Sequence, residues 1–207
     1  IRKPAHQPIG LDTYVETGAL TPALCMALRA ALADRLNIVI AGGTSSGKTT
    51  FANALLSEPS LADDRIVILE DTRELRCSAE DVTQLRTHRS GITLRDLVRS
   101  TLRLRPDRII VGEVRGGEAL DLLKAWNTGH PGGIATLHAN SALAGLSRLE
   151  QLIGETSAQV PHDLIAETID CVVYITRRAG AHRVETVARM NGLGRGGYDL
   201  VSVQPDL

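Results

Sequence analysis

Apolar residues return along this chain in two rhythms. Short runs in which nearly every residue is apolar, many of them β-branched, alternate with longer stretches in which apolar residues recur every three or four positions. The runs L-N-I-V-I-A-G (36–42), R-I-V-I-L-E-D (65–71) and R-I-I-V-G (108–112) are of the first kind and predict buried strands. Further strands are predicted over 82–87 and over 132–140, which has a polar exit. The helical rhythm follows Thr21, where Pro22 is suited to a first helical position and Thr21 to the cap, and runs to about Asp34. It returns after Thr49, over 93–104 with Pro106 as its stop, over 117–126, after a cap at Asn140 or Ser141, and briefly beyond Pro161. Two strands, 171–176 and 183–190, are separated by R-R-A-G-A-H and predict an antiparallel hairpin at one edge. Gly192, Gly194, Gly196 and Gly197 predict a flexible loop before a last strand over 198–203.

Strands alternating with crossover helices define an α/β fold, a mostly parallel sheet flanked by helices on both faces. Residues 1–18 are rich in proline and polar side chains and read as a linker or extended arm; residues 19–207 form the expected domain. The chain begins with Ile1, so the arm is expected to come from an N-terminal domain lying outside these 207 residues.

Composition narrows the function classes. Aromatic residues are only 2% of the chain, so Leu, Ile, Val and Ala must build the core. Stacking on aromatic rings cannot then be the main grip on a single-stranded nucleic acid. A net charge of −1 gives no global pull toward nucleic acid or an anionic membrane. No apolar run approaches the roughly 20 residues of a membrane span. No signal-peptide pattern is visible. Cys25, Cys77 and Cys171 stand far apart without metal-type spacing, and read as reduced, mostly buried thiols of a cytosolic protein.

The most specific chemistry lies at the exit of the 36–42 strand. G-G-T-S-S-G-K-T (42–49) is a phosphate-binding loop between a strand and a helix. Gly42, Gly43, Thr44, Ser45, Ser46 and Gly47 bring backbone N–H groups close to phosphate oxygens. Lys48 neutralises charge on the β- and γ-phosphates, Thr49 offers its hydroxyl to Mg²⁺, and Thr50 follows on the same helix start. Three other strand exits carry polar residues, where ligands of open parallel sheets bind. E-D-T-R-E (70–74) supplies Glu70 and Glu74, which either orient water and metal or form a solvated turn. I-I-V-G-E (109–113) ends in Glu113, an acid placed to approach the metal, with Gly112 leaving room beside the phosphate. His138 leaves the 132–140 strand where it can hydrogen-bond a γ-phosphate. His130 and His138 lack third and fourth partners at suitable spacing for zinc. Of Arg86, Arg89, Arg95, Arg99, Arg103, Arg105 and Arg115, most read as solvated faces or ion pairs, and one or two as cations acting across a subunit boundary.

Taken together, G-G-T-S-S-G-K-T, L-E-D-T-R-E-L, R-P-D-R-I-I-V-G-E-V-R and G-H-P-G-G-I-A-T-L-H-A-N resemble the Walker A, Asp, Walker B and His boxes of the secretion ATPase superfamily. That superfamily drives type II and type IV secretion and type IV pili. A-W-N-T-G-H and A-L-A-G-L-S-R-L-E are most similar to its conjugal transfer members. The resemblance covers about 14–190. It implies a RecA-like P-loop domain that hydrolyses ATP with Mg²⁺ as a homo-hexamer at the cytoplasmic face of the inner membrane. Partners there would be inner-membrane secretion and conjugation proteins, with peripheral membrane association and no sequence-specific nucleic-acid contact. By the family's roles, Lys48 and Thr49 fall on phosphates and metal, Glu70 or Glu74 and Glu113 on metal and water, and His138 with His130 in the His box. Thr49 and Glu113 are the expected metal residues. Which acid is the base stays open. So do three other readings: a pilus or type II motor, a nucleotide-gated ring with little turnover, and a DNA motor.

Overall fold

The computed structural model describes residues 9–178 and 180–203. Among them one eight-stranded sheet runs in the order β3-β2-β4-β5-β1-β6-β7-β8. Its strands are β1 (Ile38–Gly42), β2 (Arg65–Glu70), β3 (Asp81–Arg86), β4 (Arg108–Val111), β5 (Ile134–His138), β6 (Cys171–Arg178), β7 (Ala181–Gly194) and β8 (Gly197–Ser202). The first six in chain order are parallel to their neighbours. The last two add an antiparallel edge onto β6. The helices are α1 (Leu11–Glu16), α2 (Pro22–Ala33), α3 (Lys48–Leu56), α4 (Leu94–Thr101), α5 (Glu118–Asn127), α6 (Ala142–Gly154) and α7 (His162–Thr168).

Alternation along the strands divides the core in two. Ile38 and Ile40 of β1, Ile66 and Ile68 of β2, and Ile110 of β4 face a cluster that also takes Leu24, Leu28 and Phe51 from the helices. Val39, Ala41, Val67, Leu69, Ile109 and Val111 face the other cluster, with Leu97, Leu122, Trp126 and Leu149. A strand buried on both faces has no polar face to show, so its sequence reads as one apolar run. Caps set the helix starts. Thr21 Oγ1 accepts from Leu24 N–H, Ser141 Oγ accepts from Ala144 N–H, and Thr93 with Asp96 forms a reciprocal capping box. The helix expected to reach 104 leaves α-geometry at Thr101, tightens into a 3₁₀ turn over Leu102–Leu104, and ends with Arg105 in the left-handed region at φ 52° before Pro106.

Three expectations change. Residues 1–8 lie outside the described residues, but the rest of the expected arm is not extended: α1 forms there and buries Leu11 and Tyr14, whose ring meets Phe51 edge-on at 5.2 Å. Its apolar positions are three apart, one helical face, which proline and polar neighbours obscured in the sequence. The glycine segment does not form a loop before a final strand. β7 continues through Gly192 to Gly194, and Gly197 turns it back into β8. Gly192, at φ 114°, marks a register shift that a longer side chain would resist. The antiparallel edge keeps the expected hairpin of β6 and β7 and is wider by one strand, because β8 pairs antiparallel with β7. No helix among the described residues is long and apolar enough to cross a membrane.

Candidate functional site

The exits of β1, β2, β4 and β5, the start of α3 and the β6–β7 hairpin meet around one cleft of about 540 Å³, within the range of small-ligand sites. Its position follows from the strand order. The chain leaves β1, passes through α3 and returns at β2 on the far side of β4 and β5, so the exits of all four face the same crevice.

The loop after β1 wraps the N-terminus of α3. Ser45 at φ 59° and Gly47 at φ 95° both take left-handed backbone, the alternating conformation that gathers successive N–H groups into an anion-binding concavity. Gly47 is the N-cap of α3 and no side chain caps that helix, so its first amides face the loop rather than a protein acceptor. Lys48 is only 8% exposed. Its Nζ donates to the carbonyls of Gly42 at 2.9 Å and Gly43 at 3.0 Å. Burial lowers its pKa below the ordinary lysine value, partly countered by Glu113. Thr44 to Thr50 line the cleft, whereas Gly42 and Gly43 stand behind it as acceptors for Lys48.

Glu70, the last residue of β2, is 3% exposed. Its Oε1 accepts from the N–H groups of Glu74 at 3.0 Å and Leu75 at 2.7 Å, while its Oε2 has no hydrogen-bond partner among the described residues. Burial pushes its pKa up, partly offset by those two amides. Gly112 lines the cleft and makes room for Glu70: a Cβ on Gly112 would stand 3.1 Å from Glu70 Cγ. Thr136 holds this arrangement by donating to the Gly112 carbonyl at 2.6 Å. Glu74 lines the cleft from an exposed turn that Asn53 of α3 ties down through Glu74 O and Arg76 N.

Glu113 sits one residue beyond Gly112, its strand extended by the bond from Val114 N–H to Thr136 O. Its Oε2 accepts from Arg115 Nε at 2.6 Å and from Arg115 Nη2. His138 Nε2 stands 2.6 Å from Glu113 Oε1, an approach without hydrogen-bond alignment. Register brings the two together, because β4 and β5 pair Val111 with Ala135, so Glu113 and His138 leave neighbouring strands at the same end. Burial, and then Lys48, lower the His138 pKa, partly countered by Glu113. Arg115 also reaches Asp71 at 3.3 Å. Glu118 orders the turn by accepting from the N–H groups of Arg115 and Gly116.

Lys48, Glu70, Glu74, Glu113 and His138 are therefore brought to one cleft, with Thr49 beside them. His130 is not. It precedes β5 rather than ending it, and its Nδ1 bonds Pro106 O at the amino end of the central strands. An eight-residue separation that includes a full strand cannot keep both histidines at one end. Of the seven arginines singled out, Arg115 enters the site, while Arg95 and Arg99 pair with Asp121. Thr136, Arg177 and His182 line the cleft without having been singled out. Thr136 was legible, two residues before His138 on the same strand. Arg177 and His182 come from the β6–β7 hairpin, far along the chain from any motif.

A left-handed loop at a helix N-terminus, with a buried lysine and carboxylates at neighbouring strand ends, defines a RecA-like domain of the P-loop class. Residues 1–195 match the family of type II/IV secretion system proteins, and the chain belongs to it. It is 50% identical over 206 residues to a probable conjugal transfer protein TrbB of Sinorhizobium fredii, covering 99% of this chain and 63% of that protein. A conjugal transfer protein TrbB of Rhizobium radiobacter is 51% identical over 96% of this chain and 62% of its own length. The chain thus spans under two thirds of these relatives. The crystal structure of the VirB11 ATPase from the Brucella suis type IV secretion system, in complex with sulphate, is 29% identical with a TM-score of 0.73 over 91% of this chain and 65% of that one.

Proposed function

We propose that this chain is the ATP-hydrolysing domain of a motor that powers type IV secretion or conjugative DNA transfer. The observation that carries the reading is the convergence of Lys48, Glu70, Glu113 and His138 on one phosphate loop. The kinship with conjugal transfer proteins and a secretion ATPase supports the process it serves.

The residues fit a magnesium nucleoside triphosphate. The left-handed loop presents amides to an anion, and Glu70 holds a buried acceptor oxygen with no hydrogen-bond partner among the described residues. Thr49 and Glu113 would hold Mg²⁺, which when bound neutralises charge on the β- and γ-phosphates. Lys48 exchanges two backbone carbonyls for phosphate oxygens. A phosphate restores the charge balance that burial takes from this lysine, so binding raises its affinity for the proton. Glu113, released from Arg115, or Glu70 accepts the proton of the attacking water. His138 lines the same cleft, where its ring hydrogen-bonds a phosphate oxygen. Arg115 is 62% exposed and His138 48%, so one wall of the cleft is open. A neighbouring domain of a homo-hexamer at the cytoplasmic face of the inner membrane would close it, beside membrane-bound secretion proteins.

Steady-state ATPase measurement on the intact protein tests this. Lys48→Ala is expected to lower turnover by about a hundredfold or more, and retained turnover would overturn the reading. Glu113→Gln is expected to keep MgADP binding while slowing hydrolysis by about a hundredfold. A second reading, a ring that binds nucleotide with little turnover, draws on the engagement of Glu113 by Arg115. Wild-type turnover no faster than that of Lys48→Ala, with MgADP still bound, would favour it.

A further inference from the structure

The hairpin of β6 and β7 touches the phosphate loop at its most constrained point. His182 Nδ1 lies 2.8 Å from the carbonyl oxygen of Ser46. A carbonyl only accepts, so Nδ1 carries the proton and donates. The same ring covers Gly47: a Cβ there would stand 2.8 Å from His182 Nδ1 and 3.2 Å from Cε1 and Cγ. Ser46 itself is buried, and its hydroxyl has no hydrogen-bond partner among the described residues. The loop at this point is therefore held by His182, from a strand 136 residues away in sequence.

The Ser46 carbonyl and the Gly47 N–H belong to one planar trans peptide and point in opposite directions. Pinning the carbonyl fixes the direction of the N–H. That N–H is one of the loop amides, and Gly47 reaches it through left-handed backbone at φ 95°. The next N–H belongs to Lys48. His182 is itself braced. Val184, two residues on, donates its N–H to Ala19 O at 2.9 Å, and His182 pairs with Arg177 across the hairpin.

We propose that His182 is a positioning residue for nucleotide phosphate binding: it preorganises the Ser46–Gly47 peptide so that the loop amides face the phosphates before ligand arrives. The inference rests on the nucleotide-binding reading above. Without this restraint the loop must be ordered at the moment of binding, and affinity falls by the fraction of molecules not already in the competent shape. The effect falls on ground-state and transition-state binding alike, because the phosphates are held in both.

The test measures MgADP binding and ATP turnover on the intact protein with three substitutions. His182→Ala removes the ring and the donor. His182→Asn places an amide N–H near the position of Nδ1–H. His182→Phe keeps a ring without a donor. The expected result is a rise of about tenfold in MgADP Kd and ATP KM for the Ala and Phe variants, with kcat reduced by much less, and recovery to within about threefold for Asn. Unchanged Kd and KM in His182→Ala, or an Asn variant as impaired as Phe, would overturn it. If His182→Ala does not fold, the contrast of Asn with Phe decides alone. A wild-type protein that binds no MgADP sinks the nucleotide reading instead, so the two failures are distinct.

Discussion

At the amino end of the parallel sheet, Arg108 is 1% exposed and completely engaged. It donates to Asp64, to Leu32 O at 2.9 Å and to Gly132 O at 3.3 Å. Beside it, Asn37 donates to Thr168 O and accepts from Gly133 N–H, while its own N–H goes to Asp170. At the carboxyl end Glu70 is as deeply buried, yet one oxygen has no partner among the described residues, and Lys48 spends its protons on two loop carbonyls. Both ends bury charge. One end satisfies it within the fold and locks the strand starts together; the other holds it ready for a ligand. Buried charges are normally paired, so the end with a carboxylate oxygen unpaired among the described residues is where a partner from outside is expected.

The largest effect expected from breaking this contrast is at Arg108. Arg108→Ala leaves the buried Asp64 to Arg35 alone, strands Gly132 O and empties a buried side chain's volume, and should lower stability by about 3–5 kcal/mol in urea denaturation. A loss under about 1 kcal/mol would mean that the amino end is not the structural one. Asn37→Ala should cost less, about 1–3 kcal/mol by the same measurement, because it strands neutral groups only.

The smallest effect has the opposite sign. Glu70→Gln removes a buried charge while its Oε1 still accepts from Glu74 and Leu75, so ligand-free stability at pH 7 should rise by roughly 1 kcal/mol. The pH dependence follows from the raised pKa of Glu70. Between the ordinary glutamate value and the raised one, the folded state binds the extra proton. Stability from this group is therefore highest below the ordinary value and falls as pH rises through the raised one. Thermal melts from pH 4 to 8 should show that fall in the wild type and lack it in the Gln variant. A less stable Gln variant at pH 7 would place Glu70 with the satisfied groups.

Much of this was open to sequence reading, for local reasons. The strand runs, the Thr21 and Ser141 caps and the phosphate loop are each written in a few consecutive residues. What escaped was written across the chain. Tyr14 shows its helical role only when Phe51 is against it. Gly112 makes room for a side chain 42 residues earlier, which no local pattern announces. β7 runs through glycines because Asp199, Tyr198 and Gly197 pair with it, and pairing overrides the weak intrinsic preference of those residues.

The sequence by itself determined the class of fold, the glycine-rich loop and the acids and histidine at the strand exits, because two-residue alternation, turn chemistry and strand-end position are local properties. Only the tertiary structure decided which of those groups meet. Parallel register set His138 beside Gly42 and sent His130 to the other end. The antiparallel edge carried His182 back to Ser46 and Gly47. Contacts between strands far apart in the chain depend on sheet order and register, and a side chain's partner is settled only when those are.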